Sequence, residues 1–388
     1  MPARSLRFAS PMAALALAAC GPVSHAAVRK DLLRPDTGRA SGPIPASAKD
    51  DLRVALYGDA QGNRPVHRAV IAAIARERPD LVLFAGDAVD CLPVGHMPDL
   101  GGWEYFVPFW PQYVRDYPAV SAATIVPFPA LIHEGLLSPF APPRDPGGLN
   151  GFLEDTAPLR DAGVPFLFAA GNHDQYHRAD REDFALYFPP SPAPDPEGSP
   201  PELWYSVDVG RWRFVVLDTG TDLLGDPDPM PAGGPQLAWL DRQLAEAAEK
   251  GLRAIVALHI PPFSSGREEG GAPWVAQRVV EDVLDKHPVA LVVSGHVHAY
   301  ERLERPGHAG KPVTYLVSGG AGGRFFHARK ERDPRSVVFV EETRHFVLLE
   351  LGADSIQGRV VPVLPEGGGA EPADAAQVPI DRFTIDLR

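Results

Sequence analysis

Seven apolar runs recur along the chain, each ending in a polar or glycine-containing tip: RVALYGDA, LVLFAGDAVD, PFLFAAGNHD, RFVVLDTG, RAIVALHIPP, VALVVSGHVH and VTYLVSGG. They are short, rich in Val, Leu and Ile, and do not alternate apolar with polar residues. That pattern predicts strands buried on both faces. Between several of them the apolar residues return at helical spacing, over 66–77 ahead of Pro79, and over 149–162, 235–250 and 273–286. Strands alternating with helices predict an α/β architecture. A last strand is expected over Phe383 to Leu387.

The rhythm breaks in four places. Residues 91–150 are rich in Pro and aromatics, among them Trp103, Tyr105, Phe106, Phe109, Trp110 and Tyr113, and read as an insertion. The run from Pro189 to Pro201 and the stretch from Pro365 to Gln377 read as loops. Before the body, Val28 to Asp50 is polar and rich in Pro, Ala and Ser, as a tether is. Ahead of it, Arg4 and Arg7 precede a short apolar run from Met12 to Ala19, the layout of a secretion signal and too short to span a bilayer. Leu17-Ala18-Ala19-Cys20 resembles a lipobox, with cleavage after Ala26 as the competing site. The chain therefore divides into a signal (1–26), a linker (27–50), one domain (51–362, with the insertion at about 91–150) and a C-terminal tail (363–388). A bacterial periplasmic protein, free or anchored through Cys20, is the expected destination, and Cys91 is left without a disulfide partner.

A chain of 388 residues with 45% hydrophobic and 22% charged residues can bury a full core, which excludes disordered and small disulfide-scaffold classes. Its net charge of -13, with no basic run, excludes a nucleic-acid surface, and any membrane contact would pass through Cys20. An anionic substrate would then need a local positive source. The chemistry-bearing residues supply a reason to expect metal ions. Asp59, Asp87, Asn172, His259 and His296 follow five separate apolar runs, and ligands in open α/β sheets bind beyond the carboxyl ends of strands, so one face of one sheet is expected to gather them. His296 and His298 alternate, which on a strand would place them together. Carboxylate, imidazole and amide oxygen suit Zn, Fe or Mn, whereas two isolated cysteines exclude thiolate and iron–sulfur sites. Two ions about 3.5–4 Å apart can clamp the attacking and leaving oxygens of a phosphoryl displacement. The glycines at 319–323 lack a following Lys-Ser/Thr and read as a turn. The other histidines, including His67 and His345, are expected at the surface, as are Arg302 and Arg324; only His177, close behind Asn172, is near enough to join the site.

GDAVD (86–90), GNHD (171–174), His259 before Pro261-Pro262, and GHVHAYER (295–302) together resemble the calcineurin-like metallophosphoesterases, the last motif being closest to the purple acid phosphatases. The resemblance spans about Leu52 to Leu351. It implies a four-layer α/β/β/α sandwich of two mixed sheets, with Asp87 bridging two ions. Asp59 and His298 would complete one site, and Asn172, His259 and His296 the other. His173 would face the leaving-group oxygen or the phosphate, with Asp174 orienting it. The implied reaction is hydrolysis of a phosphomonoester or phosphodiester by a metal-activated hydroxide. Two departures stand out. The first motif, usually Asp-x-His or Asp-x-Gly, reads Asp59-Ala60-Gln61, and amide oxygen binds metal more weakly than imidazole. Asp90 stands where purple acid phosphatases carry a tyrosine ligand, as a compensating ligand or a support for an imidazole. The alternative is a non-catalytic or single-metal exported lipoprotein that binds a phosphate ligand.

Overall fold

The computed structural model describes residues 51–89, 148–175, 184–185, 187–188, 203–220, 230–267, 269–363 and 378–388. The leader with Cys20, the linker, Asp90, Cys91, the 91–147 part of the insertion, His177 and the loops at 189–201 and 365–377 lie outside them. Thirteen strands run in chain order through these residues: β1 (Leu52–Tyr57), β2 (Leu81–Phe84), β3 (Phe166–Phe168), β4 (Tyr205–Val209), β5 (Trp212–Val216), β6 (Arg253–Ala257), β7 (Val289–Ser294), β8 (Tyr300–Pro306), β9 (Pro312–Ser318), β10 (Ser336–Val340), β11 (His345–Leu351), β12 (Ser355–Pro362) and β13 (Asp381–Asp386). They form two sheets, ordered β13-β12-β11-β1-β2-β3 and β10-β8-β9-β7-β6-β5-β4. Both are mixed: β1, β2 and β3 run parallel, as do β5, β6, β7 and β9, while the outer strands pair antiparallel.

Strand parity explains the continuous apolar runs. Alternate residues on one side of the first sheet (Val54, Leu56, Leu83) meet Val216, Ile255 and Val293 of the second sheet in a shared core. Their neighbours Tyr57, Val82 and Phe84 point the other way, onto α1 (Arg64–Arg76) and α2 (Gly148–Asp161) through Ile71, Ile74 and Phe152. On the far side, Val215, Val256 and Val292 pack with Leu240 and Leu244 of α3 (Pro235–Glu249). Helices thus cover both outer faces, giving the four-layer α/β/β/α sandwich, and every central strand is apolar on both sides.

Three expectations change. The segment 273–286 is not one α-helix: a single turn, α4 (Pro273–Val275), passes into a π-helix at Ala276–Glu281 and a 3-10 turn at Leu284–Lys286. Val275, Val279, Val280, Val283 and Leu284 still share a buried stripe, because apolar spacing records the face that is buried, not which carbonyl closes each turn. Besides the expected last strand, five more (β4, β8, β10, β11 and β12) lie outside the seven apolar runs; β8, with the sequence YERLERP, hides behind its charges. His67 and His345 are buried rather than at the surface, His67 beside Tyr57 and Asp155, and His345 with its Nδ1 on the Thr343 carbonyl. Burial holds the His345 imidazole down to about 4, so it is neutral in the core. The last strand, expected over 383–387, runs over 381–386 and pairs with β12.

Candidate metal centre

The two sheets bring the ends of five strands to one place. Asp59, Asp87 and Asn172 follow β1, β2 and β3 of the first sheet, whereas His259 and His296 follow β6 and β7 of the second. The expectation that one face of one sheet gathers them is therefore corrected: the site straddles the adjoining strand ends of both. His296 and His298 are also not on a strand, but in the turn between β7 and β8, where His296 has φ 68. Asp59 (φ 63) and Asp87 (φ 60) share this left-handed conformation. Each costs roughly 1–2 kcal/mol in a non-glycine residue, less for Asp, and such strain concentrates where side chains must be aimed. Tertiary bonds hold it in place: the Asp59 N–H donates to Gly86 O (2.8 Å), and the His296 N–H donates to both Asp59 carboxylate oxygens (3.0 Å each). Gly171 is required here because a Cβ would land on the Asp87 carboxylate.

Asp87 lies at the middle. Its Oδ1 is 3.3 Å from His259 Nε2 and its Oδ2 accepts a bond from Gln61 Nε2 at 3.2 Å, so its two oxygens face opposite groups of residues. On the Oδ1 side, His259 Nε2 and His296 Nδ1 converge on Asn172 Oδ1 at 2.9 and 3.0 Å, their rings nearly perpendicular at 78°. On the other side His298 Nε2 is 3.4 Å from Asp59 Oδ1. Asp59, Asp87 and His259 present ligand atoms all within 4.8 Å of one another. Gln61, on the same side, meets Asp87 with its amide nitrogen, a donor and not a ligand atom. The turn at 319–323 forms the wall beside it, with Gly323 against His298 and Gln61.

His173 donates its backbone N–H to Asp87 Oδ1 (2.9 Å), and its Nε2 stands 3.9 Å from Asp87 Oδ2, with the side chain partly exposed. Asp174 behaves differently from the expectation that it orients this ring. Its carboxylate accepts the backbone N–H groups of Asp87, Ala88, Val89 and Gly171 at 2.8 to 3.3 Å, bracing the GDAVD turn against the GNHD turn. Asp90 lies outside the described residues. Glu269 is a participant that the motifs do not point to: its Oε2 is 2.6 Å from His296 Nε2. The signal available is weak, a glutamate ten residues beyond His259 in a loop without pattern. Arg302 is held by Asp381 of β13 and by Glu304, away from a free surface role.

The electrostatics fit a cation. Among the described residues, the ion-pair partners of buried Asp59 and Asp87 are histidines only. Burial disfavours a charged His259, yet the Asp87 carboxylate outweighs it and pushes the imidazole up to about 9. Burial likewise disfavours the Asp87 anion, but His259 and His173 hold it well below the usual carboxylate range. Asp174, buried beside Asp87, is pushed up to about 7. Against desolvation, His296 holds Glu269 down to about 2. A buried carboxylate that draws a proton onto a neighbouring imidazole, as Asp87 does with His259, is an arrangement a divalent ion satisfies by replacing that proton. Oxygen and imidazole donors with no thiolate fit Zn, Mn or Fe.

A family model described as calcineurin-like phosphoesterase matches residues 52–300. Purple acid phosphatase 23 of Arabidopsis thaliana is 31% identical over 144 residues, covering 37% of this chain and 30% of that one. Phosphoenolpyruvate phosphatase of Allium cepa is 32% identical over 164 residues, covering 40% and 31% respectively. The match thus spans about 30% of the length of these curated relatives. In fold, the chain superposes on a purple acid phosphatase from yellow lupin seeds with a TM-score of 0.53 at 18% identity, covering 89% of this chain and 55% of the other.

Proposed function

This chain belongs to the calcineurin-like phosphoesterase family, and on that premise we propose that it hydrolyses a phosphate ester at a centre of two metal ions. The observation that carries the reading is the disposition of Asp87, buried, with one carboxylate oxygen toward His259 and the other toward Gln61, and with Asp59 and His259 both presenting ligand atoms within 4.8 Å of it. Asp87, Asn172, His259 and His296 would hold one ion, and Asp87, Asp59 and His298 the other. Bound there, the ions would supply an acidified water near neutral pH and positive charge for the phosphoryl oxygens.

The chain's own residues do the rest. Asp174 locks the two ligand-bearing turns through four backbone N–H donors, fixing the distance between Asp87 and Asn172. His173 stands beside Asp87 with its side chain partly exposed, where an imidazole can give a proton to the departing oxygen, a role worth about 10²–10⁴-fold. The outer ring nitrogens of His259 and His298 donate to the carbonyls of Ala85 (2.7 Å) and Arg324 (2.6 Å), which fixes the tautomer that leaves Nε2 free to bind metal. The substrate is a small phosphomonoester or phosphodiester. The test is hydrolysis of nitrophenyl phosphate and bis-nitrophenyl phosphate by protein reconstituted with Mn, Zn or Fe. Release of nitrophenol from either ester supports the reading; no release with any of the metals overturns it.

One observation favours a second reading, a single-metal binding protein of the same fold: Gln61 turns an amide donor, not a ligand oxygen, toward Asp87. One ion per chain and no turnover would select it. Export, with or without a lipid on Cys20, is part of the proposal; loss of fatty-acid labelling in Cys20→Ser supports the anchored form.

A further inference from the structure

We infer that Glu269 is a positioning residue for the metal ligand His296, held in place by Glu301 of the GHVHAYER motif. This rests on the two-ion reading above and adds a component that the ligand motifs do not contain. The three ligand histidines differ in how their outer nitrogens are held. His259 and His298 each donate to a neutral backbone carbonyl, whereas His296 donates its Nε2–H to the Glu269 carboxylate at 2.6 Å while Nδ1 faces Asn172 Oδ1 at 3.0 Å. A carboxylate on the outer nitrogen of a ligating imidazole fixes the ring and raises its basicity toward the metal, more than a carbonyl does. His296 also needs such a hold most, because its backbone is in the left-handed conformation within a turn rather than on a strand.

The placement of Glu269 is not left to a free loop. Glu301, fully buried at the start of β8, accepts bonds from Ser264 Oγ (2.8 Å), the Ser265 N–H (2.9 Å) and Ser265 Oγ (2.6 Å). Just beyond, Gly266 bridges to Ala328, the Arg267 N–H donates to His327 O, and Arg329 bonds Gly266 O. The stretch that leads to Glu269 is therefore pinned on one side by the strand that follows His296 and His298, and on the other by 327–329. One motif supplies the ligands His296 and His298 and also the anchor, Glu301, of the loop that braces His296. The Glu269 side chain is 46% exposed, so it can be altered without opening the core.

The experiment is a competition titration of Zn²⁺ and Mn²⁺ against a chromophoric chelator for the wild type, Glu269→Ala and Glu269→Gln. It is paired with ¹H–¹⁵N spectra of histidine-labelled, ion-free protein. The expected result is two ions per wild-type chain, one of them bound about 10–100-fold more weakly in Glu269→Ala. Glu269→Gln, which keeps an acceptor for the imidazole N–H but not its charge, should recover part of that loss. A low-field imidazole N–H proton should be present in the wild type and absent in Glu269→Ala. If the wild type binds two ions and Glu269→Ala binds both as tightly, with an unchanged imidazole spectrum, this inference is overturned and the function reading stands. A wild type that binds neither metal overturns the function reading and this inference with it.

Discussion

The two halves of the centre are built to different standards. Around Asn172 three potential ligand atoms meet within 2.9 and 3.0 Å, and both histidines have their outer nitrogens engaged, one by a carbonyl and one by a carboxylate. Beside Asp59 stands the imidazole of His298, 3.4 Å away, and on this side Asp87 meets Gln61 through an amide donor. Both halves share Asp87 and the same strained-turn design, so the difference lies in the donor set and not in the scaffold. If two ions bind as proposed, the second would be held less tightly than the first, because Gln61 offers the weaker half an amide where an imidazole could stand.

Four substitutions sharpen or break that contrast. Asp87→Ala removes the shared ligand and should release both ions and lower kcat/KM by at least about 10³-fold, about 4 kcal/mol; retention of both ions, measured by plasma emission, would refute its bridging place. Asp174→Ala orphans four buried N–H donors and should lower unfolding stability by about 3 kcal/mol even in ion-free protein, read by urea denaturation. An unchanged midpoint would mean that the brace between the turns is not needed. His173→Ala should reduce kcat by about 10²-fold with metal content intact. Equal loss of metal would make it a support of the centre instead of a proton donor. Gln61→His adds an imidazole to the weaker half and should tighten only the second ion, by roughly 10-fold, which a two-site chelator titration separates from the first. Tightening of the first ion instead would reverse the assignment of the halves.

The fold class and the ligand set are legible in the sequence because both depend on local pattern. Runs such as LVLF and VALVV are apolar throughout because Val82 and Phe84 face helices while Leu81 and Leu83 face the other sheet, and that signature survives without neighbours. The polar tips Asp59, Asp87, Asn172, His259 and His296 stand out because each interrupts such a run. What is not legible depends on contacts between distant segments. The two mixed sheets follow from the family resemblance, but which strand ends carry the site, and hence that it straddles both sheets, depends on β11 inserting beside β1 and β9 beside β7, pairings with no sequence label. The role of Asp174 is hidden because nothing in GNHD tells whether its carboxylate points to the imidazole next door or to the amides of residues 87–89. Glu269 escapes notice because it sits in no periodic element, and Glu301 because a glutamate amid YER reads as surface charge although it is fully buried.

The count of metal ions per chain, after reconstitution with excess Mn²⁺ or Zn²⁺ and removal of loosely bound metal, tests the central claim most directly. The account predicts two ions, falling to one when His298 or Asp59 is replaced by Ala and to none with Asp87→Ala. A wild type that holds a single ion, unchanged by Asp59→Ala, would contradict it.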